Sequence, residues 1–400
     1  MHVHKRRAEP YSRRGLIMID TKQFYDYLIS KEIDFFTGVP DSLLKNLCAC
    51  IADNQSASKH IIAANEGNAI SVAAGYHIAT GKTAAVYMQN SGLGNAVNPL
   101  LSLTDEDVYK IPVMLIIGWR GQPGIKDEPQ HKKQGKLTLG LLDTMGIRHY
   151  VLDDDFKRQI DDCCDYIRQK NLPVAIVVRP GSFSEYKLKT RKGRFGMLRE
   201  EALEQILNCL SGGDFIVSTT GKTSREIFEL REKRSEGHAN DFLTVGSMGH
   251  AASIAFGMSL GCNQCIYCVD GDGSFLMHMG GMGIAAKNAR SNFKYVLINN
   301  GSHESVGGQP TIGFDIDIYS VLKALGFAHV FTAKTKQEVA GAMTRLKDAH
   351  TGALIINVNT GSRKELGRPA VSPEQNKKDM MRLFESFRAK AAADNRRLTD

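Results

Sequence analysis

Short apolar runs of strand length alternate with segments of helical periodicity along most of the chain. Between these runs, hydrophobic residues recur at helical spacing, as in the segment that carries Leu43, Leu44, Leu47 and Ile51. Such alternation is typical of a doubly wound parallel sheet and predicts an α/β fold. The predicted strands are residues 35–37, 61–64, 84–88, 113–117, 175–178, 215–218, 243–245, 266–269, 295–298, 328–331 and 354–358.

A polar stretch separates two halves of similar size. Residues 182–196 are basic and poor in apolar residues, which predicts a linker between two sheet-forming domains. The predicted organisation is a disordered basic tail at 1–16, a first domain at 17–181, the linker, a second domain at 197–375, and a C-terminal helix and tail at 376–400.

The two halves also repeat in register at an offset of 182 residues. The matching pairs are Gly67 with Gly249, Ala69 with Ala251, Ala73 with Ala255, Gly75 with Gly257, Leu115 with Leu297, and Ile116 with Ile298. Small residues at these spacings let a helix pack closely on a sheet in both halves. The pattern predicts two domains of similar topology, with chance identity between amphipathic helices as the alternative.

Composition narrows the class of protein. Of the 400 residues, 42% are hydrophobic and 24% are charged, which is typical of a globular protein. With no apolar run long enough to cross a bilayer and no apolar signal core, we expect a cytoplasmic protein without a membrane partner. Five basic residues and one acidic residue in 1–14 account for half of the net charge of +8, which argues against a nucleic-acid partner.

The chemistry of the chain is concentrated between residues 266 and 308. One predicted strand leads to Asp272, which lies between Gly271 and Gly273, and the next strand leads to Asn299 and Asn300. Carboxyl ends of neighbouring parallel strands lie side by side, so a carboxylate and an amide oxygen should converge beside a helix N-terminus. These ligands suit a Mg²⁺-bound diphosphate.

Two other interpretations of this stretch are open. A Gly-rich turn capped by Asp would need no ligand, and a dinucleotide fingerprint would need a third glycine that GDGSFL lacks. At the offset of 182, Asp272 and Asn300 correspond to Asn90 and Gly118, so the first half has no equivalent pair. The first half instead has Glu66 after a predicted strand, opposite Met248.

The pairing of GDG-S with Asn-Asn 28 residues later resembles the diphosphate-binding signature of thiamine-diphosphate enzymes. The resemblance implies a thiamine-diphosphate-binding fold in which 17–181 binds the pyrimidine and 197–375 binds the diphosphate and Mg²⁺. It also implies a role for each site residue. Glu66 is the acid that relays a proton to the cofactor, and the metal ligands are Asp272, Asn300 and the Ser302 carbonyl. The other cofactor contacts are Gly271, Gly273 and Ser274, together with Gly246 and Met248, which bend the cofactor.

More of the chain resembles the phosphonopyruvate decarboxylase family, with the sulfopyruvate decarboxylases as near relatives. The segments that carry this resemblance are FFTGVPDSLLK, NEGNAISVAAGYHIATGK, YMQNSGLGNAVNPL, IIGWRGQPGIKDEPQH, STTGKTSREIFELRE, TVGSMGHAASIA and NNGSHESVGGQPT. The implied reaction is decarboxylation of 3-phosphonopyruvate, a small anionic 2-oxoacid, to phosphonoacetaldehyde and CO₂ in phosphonate metabolism. The implied assembly is a homo-oligomer, at least a dimer, with cofactor at the interface.

A phosphonate substrate needs cations, and the segment after the strand at 113–117 supplies several. We expect Arg120 and Lys126 to bind substrate and His131 to act in catalysis, with a solvated basic loop as the alternative. Asp41 is a second catalytic candidate, although it could be only a helix N-cap. His303 could face the substrate or only shape its loop.

The sequence is compatible with three rival functions. Sulfopyruvate is the alternative substrate. A 2-oxoacid oxidoreductase component would need clustered iron, but Cys265 and Cys268 are predicted to point to opposite faces of a strand. A non-catalytic partner subunit is disfavoured because Glu66, Asp272 and Asn300 are all present.

Overall fold

The computed structural model describes residues 18–189, 193–363 and 365–397, with side chains to residue 390. The predicted basic tail therefore lies outside the described residues. The chain divides into two compact units, Met1–Leu188 and Lys189–Asp400. No helix in the described ranges is long and apolar enough to span a membrane.

The first unit is a three-layer α/β/α structure around a six-stranded parallel sheet. Its strands are β1 (Phe36–Gly38), β2 (His60–Ile62), β3 (Ala84–Gln89), β4 (Val113–Gly118), β5 (Arg148–Val151) and β6 (Val174–Val178), in the order β2-β1-β3-β4-β6-β5. Its helices are α1 (Thr21–Ser30), α2 (Lys45–Asn54), α3 (Glu66–Thr80), α4 (Leu93–Pro99), α5 (Pro129–Thr144) and α6 (Phe156–Lys170).

Successive side chains of the central strands point to opposite faces of this sheet and form a hydrophobic layer on each face. Tyr87 and Ile116 point to one face and pack with α1, α2 and α6, whereas Val86 and Leu115 point to the other and pack with α3 and α5. Burial on both faces explains why these strands read as continuous apolar runs.

The second unit has the same architecture. Its strands are β7 (Phe215–Ser218), β8 (Asp241–Leu243), β9 (Ile266–Gly271), β10 (Phe293–Asn299), β11 (His329–Ala333) and β12 (Gly352–Asn357), in the order β11-β12-β10-β9-β7-β8, all parallel. Its helices are α7 (Arg199–Asn208), α8 (Lys222–Lys233), α9 (Ala251–Leu260), α10 (Asp272–Met277), α11 (Gly280–Asn288), α12 (Ile318–Ala324), α13 (Lys336–Asp348) and α14 (Pro373–Arg397).

The two sheets have the same strand order when one is read in reverse, so β3 corresponds to β9 and β4 to β10. Moving β3 by 182 residues gives the bounds of β9, and small residues of α3 and α9 are buried against the sheets in both units. The predicted fold class, two doubly wound parallel sheets of similar topology, is confirmed.

Some element bounds differ from the prediction. Strand β5 was not predicted, because only half-buried and exposed residues form it. Strand β8 lies two residues before the predicted position, since its first residue, Asp241, is a buried carboxylate held by Arg231 rather than an apolar residue. Helix α14 begins three residues before the predicted start and stacks Phe384 on Phe215 with ring centroids 4.1 Å apart.

Within the range predicted as a linker, the first residues belong to the first unit. Phe183 is buried, and the Ile19 N–H donates to the Ser182 carbonyl at 2.8 Å.

Cys265 and Cys268 pack in the layers on opposite faces of the second sheet, as the strand period predicts.

Candidate active site

In the second unit, Asp272 follows β9 directly and begins α10. The side chain is 3% exposed, and its Oδ2 accepts a hydrogen bond from the Thr311 hydroxyl. Burial raises the pKa of the Asp272 carboxyl to about 6, although hydrogen bonds from Thr311 and from backbone N–H groups oppose the shift. The main opposing contributions are hydrogen bonds rather than a basic side chain, and a bound cation would further stabilise the ionised form.

The two asparagines that end β10 have different surroundings. Asn299 closes its own turn: its Nδ2 donates to the Gly313 carbonyl at 2.6 Å, and its Oδ1 accepts the Gly301 N–H at 3.1 Å. Asn300 donates from Nδ2 to Glu304 Oε2 at 3.0 Å, and its Oδ1 accepts the Ser302 N–H at 3.1 Å. Asn300 therefore directs its amide oxygen away from Glu304 and towards the turn that contains Ser302.

The GDG turn at Asp272 is in close contact with two other predicted site residues. A Cβ at Gly273 would lie 2.9 Å from the His303 imidazole and 3.2 Å from the Met248 methyl group, so a side chain at this position would have to displace the His303 ring. Ser274 Oγ accepts the Gly249 N–H at 3.0 Å, which ties the segment of Gly246 and Met248 to the same turn. Burial lowers the pKa of His303 to about 4, so its imidazole is neutral at pH 7.

These groups suit Mg²⁺ by their chemistry. A buried carboxylate, an amide oxygen and the backbone carbonyl of Ser302 are hard oxygen ligands of the kind that Mg²⁺ prefers. Among the described residues, no group of three or more His, Cys, Asp or Glu side chains is placed to bind a metal. Gln309, fully buried in the same loop, has both amide atoms without a hydrogen-bond partner, as expected where a polar ligand is absent.

In the first unit, Glu66 is the first residue of α3 rather than the end of β2, which stops at Ile62. The side chain is 5% exposed, and Asn95 Nδ2 donates to its Oε2 at 2.7 Å. A Cβ at Gly92 would lie 2.3 Å from Glu66 Oε1, so Gly92 leaves the space that the carboxylate fills. The other carboxylate oxygen, Oε1, therefore lies directly against Gly92.

Asp41 is fully buried behind the end of β4. Its Oδ1 accepts from Gln89 Nε2 at 2.6 Å, its Oδ2 accepts the Leu43 N–H at 3.0 Å, and a Cβ at Gly118 would lie 2.1 Å from Oδ2. Burial raises the pKa of the Asp41 carboxyl, and the Gln89 hydrogen bond opposes the shift. Asp41 is not the N-cap of α2, because Leu44 holds that position.

Arg120 lies just beyond β4 and is held by its own loop. Its Nε and Nη2 donate to the two oxygens of Asp127 at 2.8 and 2.5 Å, and its Nη1 donates to Ser42 Oγ at 2.8 Å. Lys126, in the same loop, is exposed. Of the two cations predicted to bind substrate, one is therefore a fixed guanidinium and the other a solvent-facing ammonium group.

His131 is buried in the first turn of α5, and its Nδ1 has no hydrogen-bond partner. Burial, assisted by the charge of Arg120, lowers the pKa of His131 to about 4. The imidazole is therefore neutral at pH 7 and can accept a proton or a hydrogen bond.

The structure brings two groups of predicted residues together, one in each unit. Asp41 and Arg120 lie at the carboxyl edge of the first sheet, as do Asp272, Asn300 and their loop in the second. The partners Asn95, Asp127 and Thr311 were not identified from sequence. Each stands in a quoted family segment, but a segment alone does not show which side chain a loop residue meets.

Two family models match this chain. Residues 21–145 match the thiamine pyrophosphate enzyme N-terminal TPP binding domain, and residues 219–358 match the C-terminal TPP binding domain. The solved structure of a benzoylformate decarboxylase from Polynucleobacter necessarius covers 86% of this chain and 100% of that chain at 12% identity, with a TM-score of 0.36.

Curated relatives cover nearly the whole chain. A phosphonopyruvate decarboxylase of Streptomyces hygroscopicus is 32% identical over 390 residues, covering 92% of this chain and 94% of its own. Another, of Streptomyces viridochromogenes, is 32% identical over 370 residues, covering 88% and 90%. A sulfopyruvate decarboxylase of Methanosarcina acetivorans is 26% identical over 343 residues, covering 79% and 84%. The chain belongs to the phosphonopyruvate decarboxylase family of thiamine-diphosphate-dependent decarboxylases.

Proposed function

We propose that this protein decarboxylates 3-phosphonopyruvate to phosphonoacetaldehyde and CO₂. The observation that carries the proposal is the 32% identity with phosphonopyruvate decarboxylases along 92% of the chain. It is supported by two half-sites, a buried Glu66 in the first unit and a buried Asp272 beside Asn300 in the second. In this proposal residues 17–181 bind the pyrimidine, residues 197–375 bind the diphosphate, and 182–196 connect them.

Residues of the second unit would hold the cofactor by its diphosphate. Thiamine diphosphate, when bound, supplies the carbanion and the electron sink that decarboxylation of a 2-oxoacid requires. Asp272, Asn300 and the Ser302 carbonyl would hold Mg²⁺, and Gly271, Gly273 and Ser274 would give the diphosphate close access to backbone N–H groups. The Gly246 carbonyl and the Met248 side chain would orient the rings.

Glu66 would manage the proton that activates the cofactor. Its Oε2 is fixed by Asn95, so the other oxygen is oriented to exchange a hydrogen bond with the pyrimidine ring. Because Glu66 is 5% exposed, water competes little for that oxygen. Positioned acid–base groups of this kind contribute about 10²- to 10⁴-fold in rate.

The first unit would also supply groups for the substrate. Arg120 is preorganised by Asp127 and Ser42, and its unshared N–H groups could bind a tetrahedral anion. Lys126 would add positive charge from the loop. Asp41 and His131 are buried and His303 is half-buried. Desolvation raises the pKa of Asp41 and lowers the pKa of both histidines, which favours the neutral forms, and these groups could donate or accept protons at the reacting carbons.

The second candidate function is decarboxylation of sulfopyruvate, supported by 26% identity with the Methanosarcina acetivorans enzyme. Steady-state kinetics with both acids tests the choice. We expect a higher kcat/KM for 3-phosphonopyruvate, and a higher kcat/KM for sulfopyruvate would reverse it.

We also propose that the active form is at least a homodimer. Helix α3 is apolar on nearly all sides: it buries Ala69, Ile70 and Ala73, yet leaves Val72 and Ile78 37% and 74% exposed. Helices that are apolar all round are normally covered, which favours association through this face.

A further inference from the structure

A buried ion network lies behind Asn300. Arg199 is 5% exposed and donates from Nε and Nη2 to both oxygens of Glu226, which is fully buried, at 2.7 and 2.8 Å. Its Nη1 donates to Glu304 Oε2 at 2.6 Å. Glu304 Oε1 accepts from Lys222 Nζ at 3.2 Å and from the Gly361 N–H at 2.9 Å. Segments from α7, α8 and the loop after β12 thus converge on one carboxylate.

The three groups that contact Glu304 from α7, α8 and the loop after β12 are all hydrogen-bond donors, so both oxygens of the Glu304 carboxylate act as acceptors. Arginine, lysine and a backbone N–H have no acceptor atom to offer in return. The fourth contact, with Asn300 at 3.0 Å, must then use the NH₂ group of the amide. The amide oxygen of Asn300 is consequently turned to the opposite side, where it accepts the Ser302 N–H at 3.1 Å.

We propose that Glu304, held by Arg199 and Lys222, is a positioning residue that sets the amide orientation of Asn300, so that its oxygen and not its nitrogen faces the cation. The inference rests on the proposed function, because it takes Asn300 as a Mg²⁺ ligand. An amide nitrogen in the same place would repel the ion. Partners of this kind typically change metal affinity by about 10- to 100-fold when they are replaced.

The test is a double-mutant cycle that reverses the polarity of the hydrogen bond. Mg²⁺ is titrated calorimetrically into full-length protein saturated with thiamine diphosphate, for the wild type, Glu304→Gln, Asn300→Asp and the double variant. Glu304→Gln should weaken Mg²⁺ binding about 10- to 100-fold, because its amide can present NH₂ to Asn300. Asn300→Asp should also weaken it, since two carboxylates would meet at the Asn300–Glu304 contact.

The double variant separates positioning from general damage. A glutamine at 304 can donate to an aspartate at 300, so the double variant should bind Mg²⁺ more tightly than either single variant. If the loss of Mg²⁺-binding free energy in the double variant equals the sum of the losses in the two single variants, the inference is overturned. Asn300→Asp alone keeps the inference falsifiable if Glu304→Gln does not fold: tighter binding than the wild type would contradict it.

Two references complete the design. Glu374→Gln removes an exposed carboxylate that pairs with Lys378 at 2.6 Å, and it should leave Mg²⁺ affinity unchanged; a loss equal to that of Glu304→Gln would overturn the inference. Asp272→Ala should abolish binding. If Asp272→Ala abolishes Mg²⁺ binding but the effects of Glu304→Gln and Asn300→Asp on the binding free energy are additive, only the positioning role of Glu304 is refuted. If the wild type shows no saturable Mg²⁺ binding, the proposed function is refuted as well.

Discussion

At the scale of single residues, Arg120 is held in one orientation by two neighbours. Asp127 occupies the Nε–Nη2 edge of the guanidinium and Ser42 contacts Nη1, so the plane of the group is fixed before any substrate binds. The exposed fraction of its side chain is 17%, so the remaining donors are partly desolvated. A fixed, partly desolvated fork favours a tetrahedral anion more than a flexible ammonium group does.

Arg120→Lys should therefore lower kcat/KM for 3-phosphonopyruvate by roughly 10- to 100-fold, the range of one or two hydrogen bonds to a charged group. A lysine cannot contact Asp127 and Ser42 and still present a paired edge. Thiamine-diphosphate affinity, measured in parallel by calorimetry, should not change. The control is Arg158→Lys at an exposed arginine that pairs with Asp155. An Arg120→Lys enzyme with wild-type kcat/KM would remove Arg120 from the substrate site.

The partners of these residues mark the limit of prediction from sequence at this scale. Glu66, Asp272 and Asn300 could be singled out because each follows a recognisable strand or turn. Asp127 could not be assigned to Arg120, nor Arg199 to Glu304, because both pairs depend on how loops fold back. Arg199 and Glu304 are 105 residues apart in the sequence, so a local sequence pattern cannot predict that they form an ion pair.

At the scale of secondary-structure elements, α3 carries Glu66, and α4 with Gly92 just before it holds the side chain in place. Asn65 caps α3, its Oδ1 accepting the Asn68 N–H at 2.9 Å, and Asn95 on α4 binds the carboxylate. Gly92, which precedes α4, has ordinary helical dihedrals, so it needs no special backbone conformation. Its lack of a side chain matters only because Glu66 occupies that space.

Gly92→Ala should disturb Glu66 specifically. The added methyl group would overlap Glu66 Oε1, and overpacking of this kind costs about 1–3 kcal/mol in the free energy of unfolding. We expect kcat to fall well beyond what the loss of stability explains, measured at a temperature where the variant is fully folded. Gly94→Ala is the matched control, because a Cβ at Gly94 has no neighbour within 4 Å. Equal, unreduced kcat in both variants would contradict the account of Glu66.

Prediction from sequence found every strand that is buried on both faces, but it missed or displaced two of the four edge strands. The central strands β3, β4, β9 and β10 are almost continuously buried and were found from their apolar runs. Edge strands β5 and β8 contain polar or half-buried residues, such as Arg148 and Asp241, so hydrophobicity alone missed or displaced them.

At the scale of the whole molecule, a pH effect on stability is expected from His60. Burial lowers the pKa of His60 from 6.5 to about 4, and its Nε2 lies 2.7 Å from the Tyr87 hydroxyl. Between these values the unfolded chain binds a proton that the folded protein does not, so this group makes stability fall as pH drops from 6.5 towards 4. Denaturant unfolding at pH 7.5, 6 and 5 should show a smaller acid loss in His60→Gln. An unchanged slope would contradict the assignment.

Assembly is the second property at this scale. When the protein is sedimented through a sucrose gradient and each fraction is assayed, we expect the decarboxylase activity in fractions that contain a dimer or a larger species. Ile78→Asp, which puts a charge on the exposed apolar face of α3, should shift the protein towards monomer and lower activity in proportion. Full activity in a monomer would refute the proposed homodimer.

The most direct test of the central claim is CO₂ release from 3-phosphonopyruvate by the wild type and by Glu66→Gln, each with and without thiamine diphosphate and Mg²⁺. We predict release by the wild type only when both are present. Glu66→Gln should still bind the cofactor but lose about 10²- to 10⁴-fold in rate. Cofactor-independent release, or a wild-type rate in Glu66→Gln, would contradict the account.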